Sequence, residues 1–87
     1  MKLKKGLSLN ALGDEFVIVA DDINVFRGMV KVNNSGAIIF SLMQEGKKKE
    51  DIVKEISKKY DVEKDIVEKD FDEFFEIIHD AGLMEDE

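Results

Sequence analysis

The hydrophobic residues of this chain change their spacing near residue 33, from the alternation typical of strands to the three-and-four spacing typical of helices. Before that point, the unbroken apolar run Phe16–Ala20 suits a central strand, and residues 7–10 alternate as a neighbouring strand would. Alternation returns after a polar turn, so a third strand is expected over roughly Phe26–Val32. The first third of the chain therefore predicts a three-stranded antiparallel sheet.

Three helices are expected after the sheet. The first begins after the capping candidates at 33–35 and ends at Gly46, the residue type best suited to a left-handed C′ position. The second spans roughly Lys49–Tyr60, and the third runs from about Asp65 to Ala81 and ends at Gly82. Because three strands cannot bury both of their faces alone, one face must pack on these helices. The expected fold class is α+β, with residues 1–87 forming one winged helix-turn-helix-like domain.

The acidic residues are concentrated at the end of the chain. The formal net charge is −7; residues 61–87, with 2 basic and 12 acidic residues, carry −10, whereas residues 1–60, with 11 basic and 8 acidic residues, carry +3. This balance opposes nonspecific attraction to nucleic acid or anionic lipid. No apolar run approaches the roughly 18–20 residues needed to cross a bilayer, so a cytoplasmic protein with no membrane partner is expected.

The residue types needed for most catalytic and metal sites are scarce. Cysteine is absent, which excludes disulfides, thiolate metal sites, cysteine-ligated clusters and cysteine nucleophiles. The single histidine, His79, falls outside the apolar arc of the third helix, where a surface position is expected, and has no evident nucleophile or metal-ligand partner. A protein that is not an enzyme and holds no metal or cofactor is therefore expected.

The third helix carries an unusually wide apolar arc. At 100° per residue its apolar side chains cover about 180°, against roughly 100° for an ordinary packing stripe. One edge of this arc carries Ile66, Phe74 and Ile77, with Asp70 and Glu73 among or beside them. The arc has two interpretations: its whole width is core, or this edge is an apolar groove flanked by acid that binds a ligand.

Short motifs spread over nearly the whole chain resemble the PqqD-like family. In order along the chain, the matching segments are Gly13–Val19, Val32–Ala37, Leu42–Gly46, Glu50–Val53, Lys59–Val62, Asp70–Phe74 and Ala81–Met84. The chain departs from the family pattern at Lys47–Lys49, where the family often has a Ser or Thr cap for the second helix, and around the first helix. These departures favour a precursor other than the peptide of pyrroloquinoline quinone, and they leave the pathway and its product open.

The resemblance implies a noncatalytic RiPP recognition element, which serves ribosomally made and post-translationally modified peptides. Such a module binds the leader of a precursor peptide and presents it to a modifying enzyme, which in the PqqD branch is a radical S-adenosylmethionine enzyme. The leader adds as an extra strand to the exposed edge of the third strand, against the third helix. Carried over by position, the implied binding residues are Arg27, Gly28, Met29, Val30, Lys31, Val32, Asp70, Glu73, Phe74 and Ile77.

Several of these residues also have a purely structural interpretation. Strict alternation favours core positions for Val30 and Val32. Lys31 on an edge strand is equally a guard against aggregation, and acids on a helix such as Asp70 and Glu73 are usually solvated.

Two other kinds of protein remain as alternatives. A winged helix can bind DNA, but the third helix is acidic where a recognition helix would be basic, and the lysines at 47–49 are better explained as a solvated loop. A self-associating adaptor, such as a homodimer, is the more serious alternative, because an open strand edge that pairs with a peptide can also pair with a copy of itself.

Overall fold

Three strands followed by three helices make up the computed structural model, which describes residues 2–21 and 28–85. The elements are β1 (Leu7–Leu12), β2 (Glu15–Ala20), β3 (Met29–Val32), α1 (Asn34–Gln44), α2 (Lys49–Tyr60) and α3 (Lys64–Asp80). The α+β class and the element order predicted from the sequence are confirmed. The third strand was expected from Phe26, but the described strand begins at Met29, and Phe26 lies outside the described residues.

The sheet is antiparallel with β2 in the centre and β3 at one edge. Ile18 of β2 stands opposite Leu9 on one side and Val30 on the other, so these three side chains share one face. That face packs on the helices, and Ile18 is completely buried. The apolar run that predicted a central strand is therefore confirmed as β2.

The helix ends follow the capping chemistry of the sequence. Asn33 is the N-cap of α1, and its side-chain oxygen accepts a hydrogen bond of 2.8 Å from the Gly36 N–H. Gly46 and Gly82, with φ of +86° and +79°, occupy the left-handed positions that follow α1 and α3. None of the helices in the described ranges is long and apolar enough to cross a membrane.

Helix α1 lies at the centre of the fold, because it packs against all three strands and both of the other helices. Its Phe40 is fully buried and meets the Phe74 ring of α3 edge to face, with centroids 6.4 Å apart. The two ends of the described chain meet as well: Leu3 and Met84 form an antiparallel bridge. The core therefore connects β3, α1 and α3, the elements that carry the predicted site.

Removal of the α1 cap gives the first testable prediction. Asn33→Ala is expected to lower the free energy of unfolding by about 1 kcal/mol, since the Gly36 N–H loses its acceptor. In a domain of this size that loss corresponds to a fall in melting temperature of roughly 4–8 °C, which calorimetry would detect. Asn34→Ala is the matched control, because Asn34 is the exposed first residue of the helix. An equal loss in both variants would contradict the assigned cap.

Candidate functional site

A shallow groove separates the end of β3 from α3. The predicted site residues that line it are Lys31, Val32, Asp70, Glu73, Phe74 and Ile77. Gly28, Met29 and Val30 lie along the same edge strand or just before it, and Arg27 is outside the described residues. The structure thus brings together the two segments that the sequence placed about forty residues apart.

The floor of the groove is apolar and part of the core. Phe74 is 5% exposed and Val32 is 9% exposed, and both belong to the main hydrophobic cluster. Ile77, one turn after Phe74 along α3, is 50% exposed and forms the rim. Ile66 is also half exposed but does not line the groove. The interpretation of the entire arc as core is therefore wrong for Ile66 and Ile77 and correct for Phe74.

Phe74 and Val32 can form the floor of the groove because Gly36, which lies beside them on α1, has no side chain. A Cβ atom on Gly36 would stand 2.9 Å from Cδ1 of Phe74, which is closer than real Cβ contacts, and 3.2 Å from Cβ of Val32, which is a tight contact. Asn33, Ser35 and Gly36 all line the groove, and the sequence-based prediction missed them. The available signal was the glycine itself, since a glycine early in a predicted helix suggests close approach of another element.

The strand edge beside the groove has backbone groups that point outward. The Asp21 N–H donates to the Gly6 carbonyl on the β1 side, so the odd-numbered residues of β2 bond to β1 and the even-numbered ones, such as Ile18, bond to β3. Val30, the partner of Ile18, therefore spends its N–H and C=O on β2. The intervening residues of β3, Met29 and Lys31, direct their N–H and C=O to the outer edge, which is open in the sense that no other described strand pairs with it.

The side chains of β3 alternate as the core interpretation required. Val30 is half-buried and Val32 is buried against the helices, whereas Met29 is 55% exposed. On the same outer face as Met29, the Lys31 ammonium lies 3.7 Å from the Glu15 carboxylate; both side chains are largely exposed, so this ion pair contributes little. Lys31 thus lies on the strand edge and stays exposed.

The remaining charge of the groove is acidic. Asp70 is half-buried and Glu73 is exposed, and both stand on the α3 wall opposite the β3 edge. With Lys31 as the one cation among the lining residues that are described, the wall favours a ligand that carries basic side chains. The volume of about 240 Å³ is below the roughly 300–1,000 Å³ typical of small-molecule pockets. It suits a few side chains of an extended chain.

The histidine and the metal-ligating groups of the described residues do not form a site at this groove. His79 is exposed, as expected, and its ring lies 5.9 Å from the Phe75 ring on another face of α3. Within the two described ranges, no three His, Asp or Glu side chains are grouped in a way that would hold a metal ion. What the groove offers chemically is main-chain hydrogen bonding, an apolar floor and negative charge.

Comparison with known proteins gives this arrangement a family. The family model described as coenzyme PQQ synthesis protein D (PqqD) matches residues 15–84. A solved structure described as TbiB1 in complex with the TbiA(beta) leader peptide aligns with a TM-score of 0.77 and 28% sequence identity, covering 100% of this chain and 98% of that chain. No curated protein sequence matches. The family model spans most of the chain, which therefore belongs to the PqqD-like family of RiPP recognition elements, as its sequence motifs predicted.

Proposed function

We propose that this protein captures the leader segment of a ribosomally made precursor peptide and presents it to an enzyme that modifies the peptide. The observation that carries the proposal is the open edge of β3 beside the groove, where Met29 and Lys31 have outward-pointing backbone groups. An added strand would lie about 4.8 Å from β3 and would place alternate side chains over the groove. The similar solved structure, TbiB1 in complex with a leader peptide, supports leader binding by a protein of this fold.

Different residues contribute to the affinity and to the selectivity of leader binding. The backbone N–H and C=O groups that Met29 and Lys31 direct to the open edge supply the strand-like hydrogen bonds. Arg27 and Gly28, which precede Met29 in the sequence, are included from the family resemblance. Phe74 and Ile77 accept an apolar leader side chain, and Asp70 and Glu73 favour a neighbouring basic one. The protein has no catalytic role in this proposal, and the expected partner enzyme is of the radical S-adenosylmethionine type.

A titration followed by NMR tests the proposal. The isotope-labelled full chain is titrated with the leader of the precursor peptide encoded beside it, and amide shifts are expected to cluster at residues 28–32 and 70–77. Shifts that cluster elsewhere at saturation would contradict the site.

Sedimentation with and without the leader tests self-association: a homodimer built through the β3 edge would dissociate as the leader binds. Salt-sensitive binding of duplex DNA to α3 would instead favour the winged-helix alternative.

The acidic wall gives a prediction about selectivity. The double variant Asp70→Asn and Glu73→Gln is expected to weaken binding of a leader with basic residues about twofold to thirtyfold, since each surface charge pair contributes roughly 0.2–1 kcal/mol. The dependence of affinity on salt should become weaker as well. Fluorescence anisotropy at low and high salt measures both effects. A control variant, Glu76→Gln, removes an exposed acid of α3 outside the groove and should leave affinity nearly unchanged.

A further inference from the structure

A second concave surface lies where the N-terminal segment meets the loop between α1 and α2. Its cationic residues are Lys2, Lys4 and Lys5 from the first segment and Lys47–Lys49 from the second. None of the described residues that line it is an aspartate or glutamate. This concave surface encloses a volume of about 680 Å³, and we call it the lysine groove. The lysines at 47–49, which the sequence explained as a solvated loop, thus lie near a second set at residues 2–5 that only the fold brings close to them.

The N-terminal side of the lysine groove is fixed by backbone hydrogen bonds. The Lys4 N–H donates to the Leu83 carbonyl at 2.9 Å, and the Glu85 N–H donates to the Lys2 carbonyl at 2.8 Å. The Gln44 side-chain amide also donates to the Leu7 carbonyl at 2.9 Å, which ties the segment to α1. These lysines therefore extend from an anchored strand-like segment and have a defined position relative to the loop lysines.

The loop side is oriented by ion pairs. Lys49 donates a hydrogen bond of 2.9 Å to the Asp72 carboxylate, and its ammonium lies 5.7 Å from the centroid of the Phe71 ring. Lys47 donates to the Glu55 carboxylate. These hydrogen bonds raise the pKa of Lys49 and of Lys47 above the ordinary value, so both side chains are cationic at neutral pH. Their acidic partners flank the groove and offset part of this charge.

The floor of the lysine groove is apolar. Leu7 and Phe71 are buried there, and Leu3 and Met43 are half-buried. A cationic rim over an apolar floor is complementary to a polypeptide in which acids alternate with apolar side chains. A phosphate backbone would satisfy the lysines but offers no apolar group to the floor.

The two grooves lie on different sides of α3. At 100° per residue, Phe71 of the lysine groove is 60° from Phe74, 100° from Asp70 and 120° from Ile77. These three residues line the groove between β3 and α3, which we call the β3 groove. We propose that the lysine groove docks an acidic segment of a second protein, punctuated by apolar residues, while the β3 groove stays open for its own ligand. The inference rests on the charge and shape of this surface and does not depend on the proposed leader binding.

Two synthetic peptides of equal charge test the proposal on the full chain. One has glutamates interspersed with leucines, and the other has serine in place of each leucine. The leucine peptide is expected to shift the amides of residues 2–7 and 43–49 and to leave residues 28–32 and 73–77 unmoved. It should bind at least about fivefold more tightly than the serine peptide, because burial of even one leucine exceeds that margin. Equal affinities, or shifts at the β3 groove, would overturn the proposal.

A pair of charge-matched variants separates the lysine groove from the overall charge. Replacement of the exposed Lys2, Lys5 and Lys48 by Gln should weaken binding of the leucine peptide about tenfold. The control replaces Lys54, Lys58 and Lys59 of α2, which are also exposed, by Gln and should change affinity less than about twofold. Equal losses in the two variants would overturn the proposal. Tighter binding of duplex DNA or of phosphatidylserine vesicles through the same lysines would also overturn it.

Discussion

Lys31→Pro is expected to weaken leader binding at least about tenfold while the protein stays folded. Proline removes the N–H that Lys31 directs to the open edge of β3, and edge strands tolerate proline where no ladder hydrogen bond is lost. A peptide that adds as a strand would lose a main-chain hydrogen bond and meet the proline ring, which together exceed about 1.4 kcal/mol. Isothermal titration calorimetry with the leader measures the effect, and circular dichroism checks the fold.

The matched control lies on the opposite edge of the sheet. Ala11 of β1 is exposed, and its pairing with Phe16 places its N–H on the side away from β2. Ala11→Pro therefore imposes a similar change on the backbone without touching the β3 edge, and leader affinity should stay within about twofold of the original. If both variants bind the leader normally, strand addition at β3 is not the mode of binding.

Phe74→Ala is expected to lower the free energy of unfolding by about 3–5 kcal/mol. Phe74 is 5% exposed and packs edge to face on Phe40, so its removal leaves a cavity between α1 and α3. Ile77→Ala, one turn later, should cost less than about 1 kcal/mol because Ile77 is half exposed. Urea unfolding measures both values. Leader binding should weaken in both variants. A loss of affinity in Ile77→Ala that comes with only this small loss of stability would assign Ile77 to the ligand.

Gly36 provides a sharper test of the same packing. Gly36→Ala alone is expected to lower the free energy of unfolding by about 1–3 kcal/mol. The new Cβ would overlap Phe74, and the cost of this overlap is larger than the gain in helix propensity. In the Phe74→Ala background the 2.9 Å contact is removed and the 3.2 Å approach to Val32 Cβ remains, so the same substitution should cost markedly less and come close to neutral. If the cost is equal in both backgrounds, Gly36 is not the residue that admits Phe74.

Local chemistry predicted the elements of this fold well. Asn33, Gly46 and Gly82 set helix ends through capping and left-handed backbone geometry, which depend on residue type and immediate neighbours. The run at Phe16–Ala20 predicted the central strand because a strand covered on both faces carries few polar residues, and the adjacent Val17 and Ile18 are indeed both buried.

The depth of each side chain was not predictable in the same way. Periodicity places Phe74 and Ile77 on one edge of α3, yet Phe74 is buried and Ile77 is half exposed. The difference depends on Gly36 and Phe40 of another helix, and so on tertiary packing. The lysine groove was missed for the same reason, since residues 2–5 and 47–49 are joined only when the ends of the chain meet.

Hydrogen exchange at the β3 edge tests the central claim most directly. With saturating leader, the amide protons of Met29 and Lys31 should exchange at least about tenfold more slowly, because each gains an acceptor or is covered by the added strand. The amide of Ala11, on the other edge, should exchange at its original rate. Unchanged exchange at Met29 and Lys31 under saturation, or protection at Ala11 instead, would contradict strand addition at β3.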